Sequence, residues 1–168
     1  MSIGVAPPHG WGGPLPDQFI AKNGTGAALA RGTLLILDIL NNSSDATNNK
    51  TSDPNSGLYI ASPALPAQGN SGIYVVTLAA CAIGADVPVM LRGEIKNALV
   101  GRVLGTTALA IGDNLTVSTG TKTYLEGGTP VTGNKVIGRL KNVTATLVAD
   151  TPVEAEILFD GYSGFGIE

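Results

Sequence analysis

Short stretches in which apolar and polar positions alternate cover much of the chain, and glycine-rich turns separate them. Within residues 89–96, the odd positions Val, Leu, Gly and Ile alternate with Met, Arg, Glu and Lys. Within residues 153–159, the odd positions Val, Ala, Ile and Phe alternate with Glu, Glu and Leu. Because a period of two places one row of side chains in a core, such stretches predict β-strands. The predicted strands span residues 33–40, 73–78, 87–96, 98–104, 115–118, 121–125, 135–140, 143–148 and 153–159.

No window combines helical periodicity with helix caps, so we expect a mainly β fold, built as a compact β-barrel or β-sandwich. The pair Thr119-Gly120 is expected to close a hairpin between its two flanking strands. Three similar phrases, at residues 28–32, 82–86 and 110–113, precede predicted strands. In each phrase the glycine can adopt positive φ while Ala and Ile pack a corner, which predicts strands entering one core from tight corners.

Composition divides the chain into an arm, a body and a tail. Residues 1–18 contain four prolines and four glycines, which predicts an extended arm that would span about 60 Å if fully stretched. Residues 19–160 are expected to form a single β domain, and residues 161–168 a tail of glycine and aromatic residues. The polar residues 41–57 predict an exposed loop, which is either a contact loop or a tolerated insertion.

The arm carries Trp11, which is the single tryptophan of the chain. A large aromatic side chain on a polar arm stabilises little unless it docks on a surface. The arm therefore either docks on a neighbouring molecule or folds back on its own domain.

Charge is sparse: 14% of the residues are charged, against about 25% in typical proteins. We therefore expect a partner to cover part of the surface. Ten Lys and Arg against thirteen Asp and Glu give a net charge of −3 with no basic stripe, which argues against nucleic-acid binding. The apolar run 73–91 contains Gly84, Asp86 and Pro88, so it predicts two buried strands rather than a membrane span. No basic segment followed by an apolar one opens the sequence, so no secretory signal is expected.

Candidate catalytic residues are few. His9 is the single histidine and lies in the arm, where it could not hold a general base within the roughly 1 Å that catalysis requires. Cys81, the single cysteine, is expected to be a buried and inert thiol. Glu154 and Glu156 share a strand face and resemble paired glycosidase carboxylates, but a solvated edge explains them more simply. We therefore expect a protein without enzymatic activity, cofactor or bound metal.

Several short motifs together resemble a known family. They are Gly112-Asp113, Arg92-Gly93-Glu94 and Val136-Ile137-Gly138-Arg139, and the similarity extends over residues 24–160 except the polar loop. On these motifs the chain resembles the decoration, or cement, proteins of tailed-bacteriophage heads. The resemblance implies a β-rich virion protein that binds the major capsid protein on the outer surface of the shell and stabilises the head against internal pressure.

The expected interface lies in the arm and the tail, because aromatic anchors in chain ends become ordered on docking. The expected partner-binding residues are Trp11, Phe19, Tyr162 and Phe165. A homo-oligomer is expected, with a trimer favoured over a dimer, and neither nucleic acid nor a membrane is expected as a partner. The alternative function is a virion-exposed carbohydrate-binding or host-adhesion module, for which tyrosines would have to line a groove.

Overall fold

The computed structural model describes residues 16–37, 58–61, 73–102, 108–117, 123–128, 135–143, 151–162 and 164–165, and of residues 58–61 it describes the backbone. These residues form ten strands and no helix. The strands are β1 (Gln18–Asn23), β2 (Leu34–Leu37), β3 (Leu58–Ala61), β4 (Tyr74–Thr77), β5 (Asp86–Met90), β6 (Arg92–Arg102), β7 (Asn114–Val117), β8 (Leu125–Gly127), β9 (Val136–Val143) and β10 (Val153–Asp160). The prediction of a mainly β fold is confirmed.

The strands form two five-stranded barrels, one after the other along the chain. In barrel 1 the pairing order is β1-β3-β2-β4-β5, and β5 pairs back with β1. In barrel 2 the order is β10-β6-β8-β7-β9, and β9 pairs back with β10. Closure leaves few free sheet edges, which is one way in which β proteins avoid edge-to-edge aggregation.

The two barrels have the same topology. The first and third strands of each barrel are parallel, as in β1–β3 and β6–β8, and the other pairings are antiparallel. Each strand of barrel 1 therefore has a counterpart five strands later in barrel 2. This arrangement is a tandem repeat of one five-stranded unit.

Each barrel has its own hydrophobic cluster, and the two clusters are adjacent. Barrel 1 is filled by Ala21, Leu29, Leu35, Leu37, Ile73, Val75, Val87, Val89 and Leu91. The cluster of barrel 2 also includes Leu34, Val76 and Met90, which belong to barrel 1 strands. Because successive side chains of a strand point to opposite sides, β2 fills barrel 1 with Leu35 and packs on barrel 2 with Leu34. The expectation of one core is therefore wrong.

The predicted strand over residues 87–96 is broken in the middle. β5 ends at Met90 and β6 begins at Arg92, so the chain leaves barrel 1 and enters barrel 2 at Leu91. The odd positions Val89, Leu91 and Ile95 are buried on both sides of the break, whereas of the even positions Met90 is buried and Arg92 is exposed. The pattern could not reveal the break because the odd positions face the core of barrel 1 before the break and the core of barrel 2 after it.

Two other predicted boundaries differ from the structure. Val117 pairs with Leu125, whereas a hairpin closed at 119–120 would pair Val117 with residue 122, and residues 118–122 themselves lie outside the described part. β9 continues to Val143, where two strands had been predicted, and residues 144–148 lie outside the described part. The predicted polar loop 41–57 lies outside it as well.

The glycines of the three corner phrases have the predicted conformation. Gly32, Gly84 and Gly112 have φ of 83°, 70° and 94°, values that L-residues rarely adopt. Two of the corners face each other in barrel 1, where Leu29 and Cys81 exchange backbone hydrogen bonds of 2.9 and 3.0 Å.

Candidate docking surface

The two ends of the body meet at Leu91, between the barrels. The N–H of Leu91 donates to the carbonyl oxygen of Asp17 at 2.7 Å, and its carbonyl oxygen accepts from the N–H of Gly161 at 2.9 Å. The Asp17 carboxylate also lies 3.6 Å from Nε of Arg92. The predicted arm and the predicted tail therefore join the body on either side of one residue.

Gly161 occupies a position that no larger residue fits. A Cβ atom there would lie 1.8 Å from the carbonyl oxygen of Tyr74, and the N–H of Tyr74 donates to the carbonyl oxygen of Gly161 at 2.9 Å. The start of the tail is thus held against β4 of barrel 1 as well as against Leu91.

The tail then crosses to barrel 2. The N–H of Phe165 donates to the carbonyl oxygen of Val136 at 2.7 Å, and the guanidinium of Arg139 lies 5.6 Å from the centre of the Phe165 ring. Between these contacts Tyr162 is 53% exposed, and its carbonyl oxygen accepts from the Lys135 ammonium. Burial lowers the pKa of Lys135, and the Asp160 charge opposes that shift.

The predicted partner-binding residues lie in different surroundings. Trp11 lies outside the described residues, as does His9. Phe19 is half-buried on β1 against the core of barrel 1, and Phe165 is half-buried over Arg139. Tyr162 is the exposed aromatic side chain of this group. The structure brings Tyr162 and Phe165 together on one tail, while Phe19 packs into its own barrel.

Sequence reasoning missed a set of exposed apolar side chains. They are Ile20, Ile83 and Ile111, with exposed fractions of 57%, 64% and 75%, whereas Leu158, which the alternation placed on the outer face, is 41% exposed as expected. Ile83 and Ile111 belong to the corner phrases, where Ala and Ile were expected to pack inward. That interpretation is wrong for both Ile residues, because the residues that pack on the cores are Leu29, inside the first phrase, and Leu109, directly before the third. The sequence signal for the exposure of these two side chains is that each Ile directly precedes a glycine. Gly84 and Gly112 have positive φ, which places the preceding Ile at the tip of the turn.

Acidic side chains on the outer face of barrel 2 are paired with cations. Glu154 lies 2.9 Å from Arg31 of barrel 1, and Lys141 lies 2.9 Å from Glu94 and 3.4 Å from Glu156. Hydrogen bonding from Arg31 lowers the pKa of Glu154, and hydrogen bonding from Lys141 lowers the pKa of Glu94. Each of these three carboxylates thus lies beside a cation, which is the arrangement expected for a solvated face.

The two corner aspartates have local partners. The carboxylate of Asp113 accepts from the N–H of Ala110 at 2.7 Å, and that of Asp86 lies 3.7 Å from the Lys22 ammonium. Both aspartates thus stabilise their own corner or strand, as the turn interpretation predicts.

A cleft of about 80 Å³ lies between the barrels beside Arg31, Glu94 and Asn97. Pockets for small ligands typically enclose about 300–1,000 Å³. The cleft is therefore too small for a sugar ring or a cofactor.

No group of three His, Cys, Asp or Glu side chains suitable for a metal occurs within the described residues. The same residues include no helix of the length and apolarity needed to cross a membrane. Asp17 and Gly161, the described ends of the body, both bond to Leu91, and the exposed Tyr162 directly follows Gly161. Comparison with protein-family models, curated proteins and solved structures finds no match to this chain.

Proposed function

We propose that the protein is a capsid decoration, or cement, protein of a tailed bacteriophage. It is made in the host cytoplasm and binds the outer surface of the shell formed by the major capsid protein. The proposal includes a homo-oligomer, with a trimer favoured over a dimer. Its role is to hold adjacent capsid subunits together against internal pressure, without catalysis.

The observation that supports the proposal is the meeting of the two ends of the body, Asp17 and Gly161, at Leu91. Residues 1–15 and the tail join the body at one place, and the tail presents the exposed Tyr162 while it lies on barrel 2, so the two segments can contact different subunits of a lattice around that place. Two weak contacts made by one molecule raise the effective concentration of each, and the molecule then dissociates slowly. The short motifs in which the chain resembles decoration proteins favour the same function.

The test is binding to purified shells that lack the protein. Removing residues 1–15 leaves Asp17 and β1 intact, so the body is expected to fold while occupancy of the shell falls at least about tenfold. Trp11→Ala should show most of that loss, whereas Trp11→Phe, which keeps an aromatic anchor, should retain most of the binding. Binding through apolar anchors should also persist at high salt.

Full occupancy by the chain that lacks residues 1–15 would contradict the role given to the arm. Absence of shell binding by the complete protein would contradict the proposed function itself. Binding of the isolated protein to glycans without affinity for shells would favour the adhesion alternative.

A further inference from the structure

Equivalent positions of the two barrels can be matched through their backbone contacts. The N–H of Gly32 donates to the carbonyl oxygen of Thr77 at 2.8 Å, and the N–H of Gly112 donates to that of Leu140 at 2.7 Å. The reverse bond, from the N–H of Thr77 or Leu140 to the residue after the glycine, is 3.0 Å in both barrels. The corner before β2 and the corner before β7 are therefore equivalent.

This match defines one row of side chains on each barrel, which crosses β2, β4 and β5 in barrel 1 and β7, β9 and β10 in barrel 2. The first row is Leu34, Val76 and Met90, and the second is Asn114, Arg139 and Leu158. The first row packs into the hydrophobic cluster of barrel 2. The second row is half-buried at Asn114 and exposed at Arg139 and Leu158.

The tail lies on the second row, as barrel 2 lies on the first. The guanidinium of Arg139, in the middle of the row, is 5.6 Å from the centre of the Phe165 ring. The N–H of Phe165 also donates to the carbonyl oxygen of Val136 on the same strand, β9, at 2.7 Å. Phe165 therefore holds the tail on the body, at the place where the repeat packs on its neighbour in barrel 1.

Before it reaches β9, the chain closes into a turn around Tyr162. The N–H of Gly164 donates to the carbonyl oxygen of Asp160, and the N–H of Tyr162 donates to the Asp160 carboxylate, both at 3.1 Å. The Lys135 ammonium donates to the carbonyl oxygen of Tyr162. We call this feature the Tyr162 turn; its described residues are Asp160, Gly161, Tyr162, Gly164 and Phe165.

The Tyr162 turn is fixed to the body at both ends. At its start, Gly161 bonds to the backbone of Leu91 and of Tyr74. Near its end, Gly164 has a φ of 70°, and a Cβ atom there would lie 2.7 Å from the carbonyl oxygen of Val136. The turn therefore has its shape in the protein on its own.

The turn leaves one aromatic side chain accessible. Tyr162 is 53% exposed, whereas Phe165 is half-buried over Arg139. Beside Tyr162 lie the Lys135 ammonium and the Asp160 carboxylate, whose opposite charges offset each other. An exposed phenol ring in such surroundings fits an apolar pocket that offers a hydrogen-bond partner to the hydroxyl group.

We propose that Tyr162 is a preformed anchor that enters such a pocket on the major capsid protein, and that Gly164 and Phe165 position it. The inference rests on the proposed function, and it replaces ordering of the tail on docking by a turn that is ordered beforehand. A segment that becomes ordered only on binding loses its conformational freedom in that step, which weakens binding. The Tyr162 turn avoids that loss.

The first measurement is hydrogen exchange in the complete chain without shells. The amide hydrogens of Gly164 and Phe165 should exchange at least about tenfold more slowly than in an unfolded chain. Gly164→Ala should make the Phe165 amide exchange faster. Gly26→Ala is the matched control, since Gly26 has a φ of 77° but a Cβ there would meet no atom within 4 Å.

The second measurement is binding of the same variants to shells that lack the protein. Tyr162→Ala should weaken binding at least about tenfold, and Tyr162→Phe, which keeps the ring, should retain most of it. Ile83→Ala is the control, because Ile83 is 64% exposed but precedes β5, whereas Leu91 and the turn follow β5. Gly164→Ala should weaken binding of the wild type but not of Tyr162→Ala, because the turn contributes through Tyr162.

The outcomes separate this inference from the proposed function. Shell binding by Tyr162→Ala at the wild-type level, or exchange of both turn amides at the unfolded rate, would overturn the inference alone. Additive losses in the double variant of Tyr162 and Gly164 would overturn the positioning role. Absence of shell binding by the complete chain would overturn the proposed function and the anchor role together, even if the turn amides are protected.

Discussion

Gly32 touches the backbone of Asn97 across the boundary between the barrels: a Cβ atom on Gly32 would lie 1.9 Å from the Asn97 carbonyl oxygen. Its φ of 83° adds a second reason for glycine at this position. Gly112, at the equivalent corner of barrel 2, has a φ of 94° but open space around its Cα. The two glycines therefore separate the cost of backbone conformation from the cost of a clash.

Gly32→Ala should destabilise the protein by about 3 kcal/mol or more, because backbone strain and overpacking add. Gly112→Ala, the matched control, should cost only about 1–2 kcal/mol, the cost of the left-handed conformation. Urea unfolding at neutral pH measures both values. Equal losses for the two variants would contradict the close contact between the barrels.

Gly161→Ala should detach the start of the tail from barrel 1, because the new Cβ would lie 1.8 Å from the carbonyl oxygen of Tyr74. The amide hydrogen of Tyr74, which bonds to the Gly161 carbonyl oxygen, should then exchange faster with solvent. Gly26→Ala is the control, since a Cβ there meets no atom within 4 Å. Unchanged exchange at Tyr74 in the Gly161 variant would show that the tail is not held as described.

Asn23→Ala should destabilise the protein by about 2–4 kcal/mol, since Asn23 is a buried polar residue with several hydrogen bonds. Its side-chain amide donates to the carbonyl oxygens of Ala27 and Ala82 at 2.7 and 3.0 Å. Its side-chain oxygen accepts from the N–H and hydroxyl of Thr25 at 3.0 and 2.7 Å. Denaturant unfolding of this variant and of the exposed Asn142→Ala provides the comparison, and the control should change by less than about 0.5 kcal/mol.

Stability should fall in acid through the paired glutamates of barrel 2. Hydrogen bonding from Lys141 lowers the pKa of Glu94, and hydrogen bonding from Arg31 lowers that of Glu154, from the ordinary value of 4.5. A lowered carboxyl pKa contributes stability that is complete above the ordinary value and is lost as the pH falls through the folded-state pKa. The urea midpoint should therefore decrease below about pH 4.5.

Arg31→Met removes the cation beside Glu154, so the difference between its urea midpoints at neutral and acidic pH should be smaller than in the wild type. Arg139→Met is the control because that guanidinium lies over the Phe165 ring. The pH dependence of the wild-type urea midpoint and its reduction in Arg31→Met should both be smaller in high salt, which screens exposed charges. An Arg31→Met variant with the wild-type difference would show that the Glu154 pair contributes nothing to stability.

The strands followed from the sequence where one face was buried in a single core. The alternation over residues 153–159 correctly placed Ala155, Ile157 and Phe159 inside and Glu154 outside. The same reasoning failed at Met90, a predicted outward residue that is 7% exposed because it packs on barrel 2. A period of two distinguishes the two faces of a strand but does not show whether a second layer covers the outer one.

The division into two barrels could not be predicted from the sequence pattern for a related reason. β2 is apolar at all four positions and β4 at three of its four, so neither strand shows which of its faces is internal. The corner phrases at residues 28–32 and 110–113 were visible, and they turn out to be equivalent positions of a repeat. Their equivalence needed the pairing of distant strands, which spacing alone does not provide.

The arrangement of residues at the candidate docking surface followed only in part from the sequence. The tail was named for its aromatic residues, and Tyr162 is exposed as that interpretation requires. The meeting of Asp17 and Gly161 at Leu91 left no local signal, because it depends on contacts between residues far apart in the chain. Phe19, named as an anchor beside the arm, packs half-buried against the core of its own barrel.

The hydrogen bonds of Leu91 to both Asp17 and Gly161 also bear on engineering of this chain. A passenger protein fused at Asp17 in place of the arm, or at Gly161 in place of the tail, would be attached at almost the same point on the body. A short linker could also join the two ends, and new termini could then be opened in a surface loop to give a circular permutant.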